Sequence, residues 1–252
     1  MFYINRNVAL NQLEDLINEN LASKLAYMPD SFNIQQEIAL DRLKKRVFLE
    51  KVVEETTTFN KKINWDHEME NLKLVNSVED LIGVFKLRSD VYTSINYQNE
   101  FPDTIEGLNF DKYDEKSAII YYKKDKQITG TTRLIFDSEY NLPSEEKYSF
   151  DGMRKEYKTI GELSRLIVKH QSSGLSMEFK NLMKGAYLLF MNNDIDITLL
   201  GIKKDHYKLY TKFGGSEIIA ELNGYGKLKL EALILSWNPS QVSNFFKRSF
   251  LR

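Results

Sequence analysis

A mixed α/β fold is predicted: a central sheet with helices on both faces, preceded by a helical N-terminal extension. Three observations lead there. Before Gly83 the chain has no glycine and only Pro29, and its apolar residues recur at helical spacing. From residue 71 onward, short strand-like runs take turns with 3.6-periodic segments. With 42% hydrophobic and 12% aromatic residues in 29.5 kDa, the chain has ample material for a packed core.

The elements follow in order. Leu10, Leu13, Leu16, Ile17 and Leu21 predict one helix, and Leu40, Leu43, Val47 and Phe48 a second. Pro29-Asp30-Ser31 separates them, and Thr56-Thr57-Thr58 ends the second. Residues 1–70 are therefore expected to form the extension and residues 71–252 the main domain. Asn71–Val75 is a strand. Ser77 with Asp80 three residues on opens a helix over 78–94. Residues 95–116 are polar and loop-like. Ser117–Tyr122 and Gln127–Phe136 form a hairpin across the charged tip Lys123–Lys126. After a loop near Pro143 come the strand Thr159–Val168, a polar turn and a helix from Met177 to about Asn192. Ile195–Leu200 is a strand and His206–Phe213 a short helix stopped by Gly214-Gly215, with Lys227–Trp237 as the closing strand.

Composition removes several classes of function. The 36 acidic and 35 basic residues balance to -1, so the chain as a whole is no electrostatic nucleic-acid binder. With no cysteine there are no disulfides, thiolate metal sites or thiol nucleophiles. Three scattered histidines, His67, His170 and His206, do not make a metal site. No apolar run approaches the roughly 18 residues of a membrane span. The first residues lack the basic flank and continuous apolar stretch of a signal peptide, so cytoplasmic residence is expected.

Three segments carry chemistry. Leu108–Asp114 sets two carboxylates, Asp111 and Asp114, three apart in an aromatic-rich stretch, which a solvated loop also allows. Gly130-Thr131-Thr132-Arg133-Leu134 puts an arginine among apolar strand residues. In Gly161-Glu162-Leu163-Ser164-Arg165-Leu166, regular alternation sends Glu162 and Ser164 to one face and Arg165 to the other. Two charges and a hydroxyl in an apolar strand are costly unless paired, so a site or an internal salt-bridge network is expected.

The ordered set Arg88, Asp111-x-x-Asp114, Gly130-x-x-Arg133-Leu134 and Glu162-x-Ser164-Arg165-Leu166 resembles the acyl-homoserine-lactone synthases, and still more their relatives the bacterial N-acyl amino acid synthases. Both belong to the GNAT-fold acyltransferases, and the resemblance covers roughly residues 71–237. Arg88 is followed by Tyr92 where the lactone synthases carry Phe and then Trp, and Asn109 stands where they place Glu. These departures favour an amino-acid acceptor over S-adenosylmethionine. Gln171-Ser172-Ser173-Gly174-Leu175-Ser176 is similar to the GNAT phosphate loop, whose backbone N–H groups at a helix N-terminus bind phosphate oxygens. Leu209-Tyr210-Thr211-Lys212-Phe213-Gly214 resembles the closing GNAT segment, in which the tyrosine is either an acid for the departing thiolate or a packed aromatic.

The resemblance implies transfer of a fatty acyl group from a thioester to the amine of an amino acid, through a sheet that splays between Glu162–Val168 and Ile195–Leu200. Glu162 is the expected base, or else it orients Arg133 or Arg165, and Tyr210 is the expected acid. Arg88, Arg133 and Arg165 would neutralise Asp111 and Asp114 and hold the acceptor carboxylate beside Ser164. Leu166, Ile167 and Val168, with Gln171, Gly174 and Ser176, would take the phosphopantetheine arm. The implied co-substrate is acyl-phosphopantetheine on an acyl carrier protein, or acyl-coenzyme A, with no metal and no permanently bound cofactor. The alternatives are lactone synthesis from S-adenosylmethionine and a silent module that binds carrier protein or lipid. Residues 201–252 carry nine basic and four acidic groups. Lys203, Lys204, Lys208, Lys212 and the tail Asn244–Arg252 thus suggest a surface for an acidic carrier protein, or peripheral contact with an anionic membrane.

Overall fold

The computed structural model describes residues 30–67, 69–169 and 175–251. The chain divides into two compact units between Glu54 and Glu55. Helix α1, Asp30–Asn60, begins after Pro29 as the sequence predicts, and its residues up to Glu54 lie in the first unit. On that stretch Asp41–Lys45 and Arg46–Glu50 form i,i+4 ion pairs of 2.8 and 3.0 Å. The segment containing Leu10–Leu21 lies outside the described residues.

The second unit is built on a seven-stranded mixed sheet. Its strands are β1 (Leu72–Leu74), β2 (Ser117–Lys124), β3 (Gln127–Phe136), β4 (Ile160–Val168), β5 (Ile197–Lys203), β6 (Ser216–Tyr225) and β7 (Leu230–Trp237), in the order β1-β2-β3-β4-β5-β7-β6. Only β4 and β5 run parallel. The helices are α2 (Val78–Ser94), α3 (Asp151–Glu156), α4 (Met177–Asn192), α5 (Tyr207–Phe213) and α6 (Asn244–Phe250). Ser77 caps α2 as expected, its Oγ accepting the Asp80 N–H at 3.2 Å. At the β2–β3 tip, Asp125 and Lys126 both take positive φ, as a two-residue turn matching strand twist requires.

Helices cover both faces, which is why β2 reads as a continuous apolar run. Ala118, Ile120 and Tyr122 join Leu182, Met183, Ala186 and Leu189 of α4 in the main core. On the other face Leu87, Val91 and Tyr92 of α2 pack with Ile167. The Leu182–Phe190 stripe thus lies in the core.

Three elements differ from the sequence reading. Strand β6 was not expected, because Glu217 and Glu221 break its apolar alternation and Ile218 is exposed, as an edge strand permits. The short α3 occupies the loop that follows Pro143. The tail folds as α6, with Phe246 and Phe250 buried in the core and only Phe245 of its aromatics exposed, so most of the apolar surface expected for membrane contact is internal.

Two irregularities in β4 open the sheet and turn one of its arginines. The ladder of β4 with β5 ends at Leu163↔Leu200, although β4 runs on to Val168 and β5 to Lys203, so the sheet splits there as expected. Against β3, Arg133 faces Ser164 but Thr131 faces Ile167: three steps on β4 answer two on β3. This is a β-bulge, and Arg165 sits in it at φ 53°. A left-handed conformation costs a non-glycine residue about 1–2 kcal/mol. The extra residue changes the phase of the strand, so Leu163 and Leu166 both pack toward α4 while Arg165 turns to the face of Ser164. Regular alternation had placed Arg165 on the opposite face.

Candidate active site

Helix α2, strand β3 and the turn before β2 gather the charges that the sequence scattered, and the bulge adds Arg165 to them. Arg88, on α2, gives one Nη1 to both oxygens of Asp114 at 2.9 and 3.1 Å. Arg133 on β3 grips Asp111 with a fork at 2.6 and 2.9 Å, reaches Asp114 at 2.8 Å and donates its Nε to Ser164 Oγ at 2.9 Å. Arg165 donates Nη2 to Asp111 at 3.0 Å and Nη1 to the Tyr92 hydroxyl at 3.3 Å, with Phe101 beneath it at 4.4 Å. The two aspartates are set by a 3-10 turn, Lys112–Lys116, in a reciprocal capping box. Asp111 accepts the Tyr113 N–H, and Asp114 accepts the Asp111 N–H.

Burial grades this cluster from inside to outside. Arg88 and Asp114 have no exposed side-chain surface and Arg133 almost none, while Arg165 and Asp111 keep 14% and 26%. Burial pushes the Asp111 carboxyl up, but Arg133 and Arg165 outweigh it and hold the group well below the usual carboxylate range. Burial likewise pulls Arg133 down, and the two aspartates more than reverse it. Three guanidinium groups are hydrogen-bonded to two carboxylates, and a third carboxylate, Glu162, acts on Arg133 through charge alone. Among the described residues, Arg88 Nε and Nη2 and Arg165 Nε have no hydrogen-bond partner.

Glu162 stands on the same face of β4, beside the last paired positions before the split. It is 3% exposed, and its Oε2 and Oε1 accept the Ser144 N–H and hydroxyl, each at 3.0 Å. Burial raises its carboxyl to about 7, against the pull of the Ser144 bonds and of Arg133. Leu166, Ile167 and Val168 form the end of β4 that β5 leaves. Ser176 caps α4, its Oγ accepting the Phe179 N–H at 3.1 Å. Gln171 and Gly174 lie outside the described residues. Tyr210, on α5, is 8% exposed and packs on Phe213, and burial holds its hydroxyl up at about 12, so it is protonated at neutral pH.

Sequence reasoning passed over Ser144, the aromatic bed of Arg165 and a strap beside the split. Ser144 had a signal: Pro143 followed by two glutamates marks a short helical start. The strap is the stretch 95–110. Its Tyr97 and Phe101 N–H groups bond back to Tyr92 and Tyr97 carbonyls, and Asn109 Nδ2 donates to the carbonyls of Phe101 and Pro102. On the far half of the sheet, Lys203 Nζ lies 5.0 Å over the Tyr97 ring. Glu100 accepts the N–H groups of Lys227 and Leu228 in the β6–β7 turn at 2.5 and 3.3 Å. Gly226, at φ 68°, leaves room for that carboxylate, since a Cβ there would lie 1.9 Å from Glu100 Oε1. Gly226→Ala is expected to expel Glu100 and to cost about 1–3 kcal/mol from strain and overpacking together. Limited proteolysis checks it: cleavage within 95–110 should quicken several-fold, and an unchanged rate would show that the clasp does not hold the strap.

Of the four lysines proposed for an acidic partner, Lys204 is paired with Glu221 at 3.0 Å and Lys203 is taken up by Tyr97. Lys208 and Lys212 on α5, and Lys247 and Arg248 on α6, are exposed.

The family model of the N-acyl amino acid synthase FeeM matches residues 83–238. Among solved structures, FeeM, an N-acyl amino acid synthase from uncultured soil microbes, aligns with a TM-score of 0.55 at 16% identity, over 71% of this chain and 94% of its own. MesI, a CoA-dependent acyl-homoserine lactone synthase, aligns with a TM-score of 0.50 at 16% identity, over 69% and 89%. BjaI, another CoA-dependent acyl-homoserine lactone synthase, solved with SAM and isopentyl-CoA, gives 0.50 at 15% identity, over 67% and 79%. At these identities the structural likeness is one of fold, and the fold is the GNAT-like type expected. No curated protein matches the chain in sequence.

Proposed function

The chain belongs to the N-acyl amino acid synthase FeeM family and is an acyltransferase, and from that membership we propose that it moves a fatty acyl group from an acyl carrier protein thioester to the amine of an amino acid. The observation that carries the acceptor class is the outer arginine of the cluster. Arg165 keeps 14% of its side chain exposed and its Nε has no partner among the described residues, which favours an anionic ligand, and an amino acid brings a carboxylate along with its amine. Arg133 already spends its fork on Asp111 and its Nε on Ser164, and Arg88 is sealed from solvent. Contact with the acceptor therefore falls to the outer residues, Arg165 above all, with Asp111 and Ser164 beside it.

The chemistry follows from the neighbouring groups. An amine attacks a thioester carbonyl only when unprotonated, and Glu162, poised near neutrality, takes the proton directly or through a water. Backbone N–H groups of Leu166–Val168 that face no neighbouring strand stabilise the oxyanion. The carbon–sulfur bond then breaks, Tyr210 gives its hydroxyl proton to the departing thiolate and is reprotonated from solvent, and Glu162 releases the amine's proton to solvent. The phosphopantetheine arm lies in the split, its phosphate toward Gln171, Gly174 and Ser176. We place the reaction in the cytoplasm, where carrier-bound acyl groups are made. Mass spectrometry of lipid extracts from a host expressing the chain tests the reading: new N-acyl amino acids support it, whereas acyl-homoserine lactones or no new lipid overturn it.

The exposed lysines and arginine of α5 and α6 support the carrier protein, an acidic partner, as donor. Lys208→Glu with Lys212→Glu is expected to lower kcat/KM for the carrier thioester about tenfold at low salt and to leave the matching coenzyme A thioester unchanged. Equal effects on both donors would remove the carrier surface from these helices.

A further inference from the structure

Between β3 and β4 the chain makes an excursion, residues 137–159, whose fixed point is Arg154. Its guanidinium holds Asp137 at 2.6 and 2.8 Å and both oxygens of Glu145 at 2.5 Å. Glu145 in turn accepts the Leu142 N–H at 2.8 Å, closing the 3-10 turn Pro143–Glu146. That turn delivers Ser144, nine-tenths buried, to Glu162.

A glutamate side chain has three rotatable bonds, and a lone buried carboxylate samples them unless both oxygens are held. Here one residue supplies both holds: the Ser144 N–H takes one oxygen and its hydroxyl the other, each at 3.0 Å. Each oxygen keeps a further lone pair with which to receive a proton. The other charged or titratable groups that face Glu162 are Arg133 on β3, Glu145 beside Ser144, and Tyr113 on the Lys112–Lys116 turn. None of these three donates a hydrogen bond to it among the described residues.

We infer that Ser144 is the positioning residue of the reaction, fixing the Glu162 carboxylate through its N–H and hydroxyl, with the Arg154–Glu145 bracket fixing Ser144. The inference rests on the reading of Glu162 as the base. Donors to the ionised form favour ionisation, so losing the hydroxyl raises the pH at which Glu162 gives up its proton.

The test uses the full chain labelled with ¹³C at the glutamate carboxyl carbons. The Glu162 signal is identified by its disappearance in Glu162→Gln. In Ser144→Ala the Glu162 midpoint is expected to move up by about one pH unit, and in Ser144→Thr, which keeps the hydroxyl, to return to the wild-type value. With the donor and acceptor found by lipid analysis, the acid limb of kcat/KM should move equally, with about tenfold loss at pH 6 and recovery by pH 9. Should Ser144→Ala fail to fold, Ser144→Cys, a weak donor of similar size, carries the same comparison. An unmoved midpoint overturns the role of Ser144. A moved midpoint alongside full activity in Glu162→Gln overturns the base assignment instead, so the two failures are distinguishable.

Discussion

Glu162→Gln is expected to lower acyl transfer by about 100-fold or more while making the protein more stable at alkaline pH. The first effect follows from removing the basic group at constant size. The second follows from burial. Glu162 holds its proton to about pH 7 in the folded chain, against 4.5 ordinarily. Between those values the folded state binds more protons than the unfolded one, so stability is full below pH 4.5 and drains away as pH rises through 7. At pH 8 the charged carboxylate therefore costs up to about 3 kcal/mol, which a neutral amide avoids. For a unit of this size that is a gain in Tm of several degrees at pH 8, fading toward pH 4.5. Thermal melts of both proteins across this range decide it. A Gln variant no more stable at pH 8, or one that turns over normally, removes Glu162 from its place.

Asp114→Ala is expected to be the most damaging single change in the charge cluster. Among the described residues Asp114 is the sole carboxylate bonded to Arg88, and both side chains are fully buried. Removing it strands one cation entirely and strips a second bond from Arg133. Breaking a buried pair this way costs about 3–5 kcal/mol, or roughly 10 °C in Tm. Arg133→Ala should cost less, because Asp114 keeps Arg88 and Asp111 keeps Arg165. High salt should rescue neither, since the pairs lie out of reach of screening ions. Calorimetry of the two variants checks the order. If Asp114→Ala melts like the wild type, these groups are independent of one another.

What the sequence disclosed and withheld has physical causes. Helix α2 and the β2–β3 hairpin were legible because their cues are local: Ser77 and Asp80 at one end, a charged tip between apolar runs at the other. Glu162 and Arg165 were legible as costly charges because they interrupt an apolar strand; Arg133 and the Asp111–Asp114 pair were visible as candidates, and Arg88 only through the family resemblance. Their geometry was not. One extra residue in β4 reverses the side of Arg165, and a bulge leaves no mark in an alternation pattern at its own position. Ser144 was hidden because its importance lies in what it touches, eighteen positions away, and the edge strand β6 because it has too little to bury.

Four residue pairs, Ile160↔Ile197 through Leu163↔Leu200, are all that stitch the two halves of the sheet together along their shared border. Past the last stitch, β4 offers peptide groups that β5 does not claim. A molecule lodged there is read by main chain, and main chain is the same whatever side chains are attached to it. That grip does not depend on which side chains stand there, although Leu166 and Ile167 are held by their own packing toward α4 and α2. The charged positions have no such licence, because each depends on its side chain. That asymmetry fits a kinship visible in the arginines, aspartates and glutamate, and in Leu166 beside them, but not at Ile167 and Val168.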